Sequence, residues 1–252
     1  MSSIPTTEPQ LLAPEEKRNP AGSYVYTAAF VLLLLLFSYL GQDRVGRMQT
    51  GGSHIVLYCF QIVWEFILLG LVWIGARLAN LRFRDLIGGR WASFESVLLD
   101  FVIAIGFWAV SLAVLFGLAH LVGLADPSRV DEAKRLLRAI GPRSLKELLF
   151  WVLLSSSAGF CEEIIFRGYL QRQFAALLGS VWTGMLISAL IFGLSHGYEG
   201  SRRMLLIAVY GALFGALTIW RKSLRPGMIA HAWHDSFEGV AGFFLERSGM
   251  LK

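Results

Sequence analysis

Charge is what this chain has least of. Asp, Glu, Lys and Arg make up 16% of its 252 residues, where an average soluble domain carries about 25%. That is too little charge to cover a water-facing surface, and it excludes a soluble fold. Cysteine is scarce as well. Cys59 and Cys161 both fall inside apolar runs, which argues against a disulfide or cysteine-metal framework and marks them as small buried residues. No internal repeat is present. No G-x-S-x-G elbow accompanies Ser155, Ser156 and Ser157, so these serines read as small residues for helix packing. The exit from the first apolar run, SYLGQD, lacks an A-x-A pattern, and Glu8, Glu15 and Glu16 precede that run beside Lys17 and Arg18. A cleaved signal peptide is therefore not expected.

What is present is apolar sequence. Hydrophobic residues make up 55% of the chain and mean hydropathy is +0.57. Several runs approach or exceed the ~18–20 residues that cross a bilayer core. The expected spans are Tyr24–Leu40, Ile55–Leu78, Val97–Val122, Leu145–Leu178, Val181–His196, Met204–Trp220 and Met228–Phe244. The fourth exceeds one crossing and is expected to be long, tilted or broken. Between the third and fourth, Arg129–Ile140 places Val130, Ala133, Leu136, Leu137 and Ile140 on one face, with Lys134, Arg135 and Arg138 elsewhere. That is the pattern of an interfacial amphipathic helix, started by Asp126-Pro127 and stopped by Gly141-Pro142. Residues 1–23 are polar, contain Pro5, Pro9, Pro14 and Pro20, and read as a disordered tail. The fold class is all-α: a polytopic integral membrane protein of about seven to eight transmembrane helices with one interfacial helix. Residues 24–252 form its single transmembrane domain. The net charge of +5 would suggest nucleic acid in a soluble protein. Here the basic residues lie between apolar runs, where they meet anionic headgroups, so no nucleic-acid partner is expected. Their tallies on the two sides are nearly equal and do not set the orientation.

Three ionisable groups interrupt this pattern in the C-terminal spans. Each intramembrane charge costs roughly 2.5–3.5 kcal/mol on insertion scales, so each is a functional-site hypothesis by default. The first is Glu162, Glu163 and Arg167, within LLFWVLLSSSAGFCEEIIFRGYLQ. Glu163 and Arg167 stand i,i+4 and can neutralise one another, while Glu162 projects about 100° away around the helix. The second is Phe192-x-x-x-His196, closing the fifth span. The third is His231-x-x-His234-Asp235, near the start of the last. Gly179-Ser180 reads as a hairpin turn. From it, Glu162 and His196 lie about 24 Å and about 22 Å along neighbouring antiparallel helices, and so at similar depth. His231 joins them only if residues 223–227, which hold Pro226 and Gly227, dip inward or the sixth helix is short. Irregular backbone at that depth must be buried or line a watery cavity, so a water-filled cavity is expected here. His231 and Asp235 share a helical face, with His234 on the adjacent flank.

Two chemistries suit this set. A glutamate can take a proton from water while imidazoles orient it or stabilise an oxyanion. Alternatively, two histidines and one or two carboxylates can hold a divalent metal and acidify its water. Both give hydrolysis of a polar bond, and the residues do not choose between them. Glu65, within the second span, reads as structural. His54 and His120 sit near span ends, and Gly184, Gly193, Gly211 and Gly215 read as close helix contacts.

The elements EEIIFR from Glu162, FGLSH from Phe192 and HAWHD from His231, in this order, resemble the motifs of the CPBP family of intramembrane proteases. That family includes type 2 CAAX prenyl endopeptidases and Abi or bacteriocin-processing relatives. The resemblance covers Leu145 to Phe244, as a catalytic core. It implies that Glu162 activates the attacking water, and that His196, His231 and Asp235 position it, stabilise the oxyanion or bind metal. Glu163 and Arg167 support the site, with Phe192 and His234 beside it. A divalent metal such as zinc stays an open cofactor, with Glu162, His196, His231 and Asp235 as its ligand set. Prenyl-processing members carry Asn at the last position. Asp235 in its place donates a hydrogen bond only when protonated, and when ionised is a better metal ligand or acceptor.

The expectation is an intramembrane endopeptidase acting on a protein or peptide substrate at the bilayer, with lipidation of the substrate left open. The alternatives are a non-proteolytic immunity or scaffold protein of the same fold, and a transporter or proton relay. Against a transporter, no paired repeats occur. Compact length without organelle targeting points to the inner membrane of a prokaryote, where a peptide precursor or a membrane-protein tail is the expected substrate.

Overall fold

The computed structural model describes residues 20–47, 53–123, 134 and 137–249. Among them the chain is helical, with no strand: α1 (Pro20–Arg47), α2 (Ile55–Leu78), α3 (Phe83–Ile87), α4 (Phe94–Leu121), α5 (Leu145–Glu162), a π-helical segment (Glu163–Leu170), α6 (Gln171–Leu178), α7 (Val181–Ser195), a 3-10 turn (Gly197–Glu199), α8 (Ser201–Arg221) and α9 (Arg225–Arg247). Among the described residues, five stretches are long and apolar enough to cross a membrane: Gly22–Leu40, Ile55–Leu78, Phe94–Leu121, Leu145–Leu178 and Ser201–Arg221. The protein is a multi-pass integral membrane protein built of helices. Length and composition alone give five crossings, fewer than the seven to eight expected. The α7 helix has only 15 residues, and α9 is interrupted by His231, His234, Asp235 and Glu238.

One boundary shifts. Helix α1 begins at Pro20, so Pro20–Ser23 belong to it and not to the tail. Proline suits a first helical position because its φ is already fixed, and Ser23 Oγ, buried, donates to Gln173 Oε1 at 3.2 Å. Residues 1–19 lie outside the described residues, as does most of the expected amphipathic helix Arg129–Ile140, of which residues 134 and 137–140 are described and helical.

The organising element is the rod from Leu145 to Leu178. Helices α2, α7 and α9 pack along it, α8 stacks on α7, and α4 closes over α9. The outer faces are apolar and exposed, as at Phe101, Val102, Ile105, Val110 and Phe116 on α4. An uninterrupted face of this kind is matched by lipid. Cys161 is buried as expected, but Cys59 lies on the outer face of α2, exposed; both are free thiols.

The rod does not break at its charged centre. It widens into a π-helix over Glu163–Leu170, and all eight residues are buried. A π-turn takes an extra residue into the ladder and re-aims the side chains around it, which is why such turns gather at functional sites. Ser188 of α7 supports it by donating its hydroxyl to the Phe166 carbonyl at 2.7 Å.

The joint between α8 and α9 meets the condition His231 required. Lys222 turns the chain in the left-handed region, and the Leu224 N–H donates to the Ile87 carbonyl at 3.0 Å. Leu224, Pro226 and Gly227 are all buried. Leu224 packs against Gly168, ten residues before the end of α6, which places the start of α9 about 15 Å in from that end. Helix α3 covers the joint from outside. Arg225 donates to the Gly88 and Gly89 carbonyls, and Asp100 of α4 accepts from Trp91 Nε1 at 2.8 Å and from Arg221 at 3.2 Å.

Close approach of α9 to α5 depends on Gly159. A Cβ there would lie 2.7 Å from the Ala232 nitrogen and 2.8 Å from the Met228 oxygen, both backbone atoms. Gly211 and Gly215 serve the α7–α8 contact similarly: a Cβ on Gly211 would stand 2.9 Å from Phe192 Cδ1, and one on Gly215 2.5 Å from Met185 Cγ. Gly159→Ala is expected to cost about 1–3 kcal/mol through overpacking and to lower Tm in detergent. An unchanged Tm would show that the two helices have room to part.

Candidate active site

The site starts from the widened turn. Arg167 Nη1 donates to Glu163 Oε1 at 2.9 Å and Nη2 to the Gly211 carbonyl at 3.2 Å. The pair is sealed, with side-chain exposures of 2% and 0%. The guanidinium also lies 4.4 Å from the Phe192 ring centroid and 5.1 Å from that of Phe214, where a desolvated cation–π contact adds to its hold. The expected Glu163–Arg167 neutralisation is therefore present, but it is half of what Glu163 does. The same Oε1 receives His231 Nδ1 at 3.0 Å. A carboxylate paired with arginine can only accept, so Nδ1 carries the hydrogen. Gly227 lets α9 come this close, since a Cβ there would stand 3.3 Å from Glu163 Oε2.

With Nδ1 committed, the other face of the imidazole is fixed. His231 Nε2 lies 3.7 Å from Glu162 Oε2 and 3.6 Å from Asp235 Oδ2. Burial changes sharply across this ring. The Glu163, Arg167 and His231 side chains are closed off, while Glu162 and Asp235 keep 17% and 28% of their side-chain exposure. The sealed charges hold the imidazole, and the two accessible carboxylates line an open edge. The structure thus brings together Glu162, Glu163, Arg167, His231 and Asp235.

The remaining residues stand around this group. His196 caps α7, and its Nδ1–H donates to the Phe192 carbonyl at 2.8 Å. The Phe192 ring stands between the imidazoles, with centroids 4.8 Å from His196 and 6.2 Å from His231. His234 turns the other way: Nδ1 accepts from Trp108 Nε1 of α4 at 3.1 Å, and Nε2 faces Glu238 at 3.3 Å. It fixes α9 to α4.

Among the described residues, no group of three or more His, Cys, Asp and Glu side chains is arranged to hold a metal ion. The ligand set Glu162, His196, His231 and Asp235 does not have that arrangement, and no step is derived through a metal.

Two further residues reach the site. Glu65 on α2 is 3% exposed, accepts from Ser157 Oγ at 2.5 Å, and lies within electrostatic reach of Glu162 and His231. Its partner is one of the serines read as packing residues, which supports a structural role for both. Tyr210 on α8 was not singled out by the sequence. Its ring centroid is 5.0 Å from that of His234 and 6.4 Å from that of His231. The available signal was weak: a phenol in an apolar helix, next to the glycine whose carbonyl holds Arg167.

A model of the type II CAAX prenyl endopeptidase Rce1-like family matches residues 144–237. The matched segment opens at Ser144, the N-cap of α5, and ends two residues beyond Asp235, so it contains the whole charged cluster. No curated protein and no solved structure matches the chain.

The sealed pair generates a stability test. Arg167→Met takes the guanidinium from Glu163 and leaves the buried carboxylate with His231 alone; breaking a buried pair typically costs about 3–5 kcal/mol. Thermal unfolding in detergent should show the loss, and adding Glu163→Gln to the same protein should recover part of it. A single variant as stable as the parent would mean that the pair does not brace the rod.

Proposed function

We propose that the protein is an intramembrane endopeptidase that uses Glu162 as its general base. The observation that carries this reading is the fixed orientation of His231, whose Nδ1 is held by Glu163 while Nε2 stands between Glu162 and Asp235. A water seated at this edge meets two carboxylate acceptors and an oriented imidazole. Glu162 takes a proton as the water O–H bond breaks, and the oxygen bonds to the scissile carbonyl carbon. The amide C–N bond then breaks, and Glu162 returns the proton to the departing amine. Asp235 accepts the second water hydrogen and, with His231, fixes the attacking lone pair. His196 is assigned to the same water from the Phe192 side.

The substrate is a membrane-associated protein or peptide entering from the bilayer. In this reading α7 and α9 complete seven crossings, and their polar ends admit water to the exposed edges of Glu162 and Asp235. Placing the bond at that depth excludes bulk water, which strengthens each charge contact in the site.

The test is turnover of a quenched-fluorescent farnesylated CAAX peptide, and of the same peptide without its lipid, by the purified chain in nanodiscs. Glu162→Gln keeps the shape of the side chain and removes the base. It should lower kcat by about 10²–10⁴-fold with Tm unchanged. Turnover by the variant at the parent's rate would contradict the reading.

A further inference from the structure

Attack by water on an amide carbonyl creates an oxyanion, and such a site needs a hydrogen-bond donor aimed at the place where that charge develops. The donors around His231 are nearly all committed. Arg167 gives one nitrogen to Glu163 and the other to the Gly211 carbonyl. His231 Nδ1–H goes to Glu163, and Nε2, 3.7 Å from Glu162 and 3.6 Å from Asp235, is assigned above to the attacking water. Trp108 Nε1–H goes to His234, whose own Nε2 faces Glu238. His196 gives Nδ1–H to the Phe192 carbonyl, and its ring is assigned above to the attacking water. Ionised Asp235 can only accept.

Tyr210 is different. The residue is 7% exposed, and its hydroxyl is sealed from solvent without a hydrogen-bond partner. The phenol lies within electrostatic reach of Asp235, Glu238, Glu163 and Arg167. Its ring is packed against Phe214 at 4.6 Å and His234 at 5.0 Å between centroids, which leaves it little freedom to turn away. A buried hydroxyl without a partner is unfavourable, and phenylalanine would fill the same space without that cost. A donor kept in this state has a use if its acceptor arrives with the substrate.

We propose that the Tyr210 hydroxyl donates the hydrogen bond that stabilises the oxyanion, in a site where Asp235 cannot. The inference rests on the proposed Glu162-dependent hydrolysis. No bond is made or broken at Tyr210. As the water oxygen bonds to the carbonyl carbon and its proton passes to Glu162, the carbonyl π electrons move onto oxygen, and the phenol O–H meets that charge. When the C–N bond breaks, the carbonyl re-forms and the hydrogen bond weakens. Tyr210 is thus a catalytic residue contributed by α8, an element that carries none of the three motifs.

The experiment compares the parent chain, Tyr210→Phe and Glu162→Gln in nanodiscs, on the quenched farnesylated CAAX peptide and its lipid-free counterpart. Loss of one oxyanion donor should lower kcat by about 10²–10³-fold and leave KM unchanged, with Tm equal to or above the parent's. A peptide aldehyde, whose hydrate mimics the tetrahedral intermediate, should inhibit Tyr210→Phe more weakly by a comparable factor, while the matching alcohol binds both proteins equally. If Tyr210→Phe turns over at the parent's kcat while Glu162→Gln is inactive, the inference falls and the proposed function stands. A drop in Tm with a matching loss of active protein marks a packing role and also overturns it. If the parent cleaves neither peptide, or Glu162→Gln cleaves as well as the parent, both fall.

Discussion

Everything in the C-terminal half depends on one buried carboxylate. Glu163 has no exposure, yet it neutralises Arg167 and orients His231 through the same oxygen. Removing such a charge from water costs several kcal/mol unless its partners are close and well directed. That demand accounts for the surroundings. The π-helix brings Glu163 and Arg167 onto one buried face, Gly211 admits the guanidinium, and Gly227 admits the backbone of α9. The two phenylalanine faces at Arg167 complete its desolvated shell.

From this constraint the working edge follows. An imidazole held at one nitrogen has only one way to face, and here it faces Glu162 and Asp235. The two carboxylates that keep contact with water are also the two outside the sealed pair. Sealed charge and accessible charge are therefore neighbours in sequence, separated by about 100° of helix rotation. The recessed joint before α9 carries the arrangement to the right depth. Its cover is α3, whose Ile87 carbonyl takes the Leu224 N–H and whose flanking glycine carbonyls receive Arg225.

Much of this was legible in the sequence. Hydropathy located the five long apolar helices to within a few residues, because burial in lipid demands long apolar runs. The i,i+4 spacing of Glu163 and Arg167 foretold their ion pair, and Pro226-Gly227 marked the inward joint that His231 requires. Other features were not legible. A π-turn differs from an α-helix by one residue per turn, and EIIFRGYL gives no composition signal for it. The bond from His231 to Glu163 crosses 68 positions of sequence, and helical periodicity says nothing about which of two adjacent glutamates a distant imidazole will choose. Tyr210 was missed because an aromatic residue in an apolar helix is ordinary. What sets it apart is a buried hydroxyl without a partner on a ring packed beside His234 and His231. Cys59 was misplaced for a related reason: in a membrane helix, apolar surroundings in sequence do not distinguish the core from the lipid face.

The central claim is that Glu162 activates a water that attacks the peptide bond directly. A single turnover in heavy-oxygen water, followed by mass spectrometry of both product and protein, tests it most directly. The account predicts one heavy oxygen in the new C-terminal carboxyl of the product and none in the fragment of the chain that contains Glu162. Heavy oxygen appearing in the Glu162 carboxylate would mean that this side chain attacks as a nucleophile, and would contradict it.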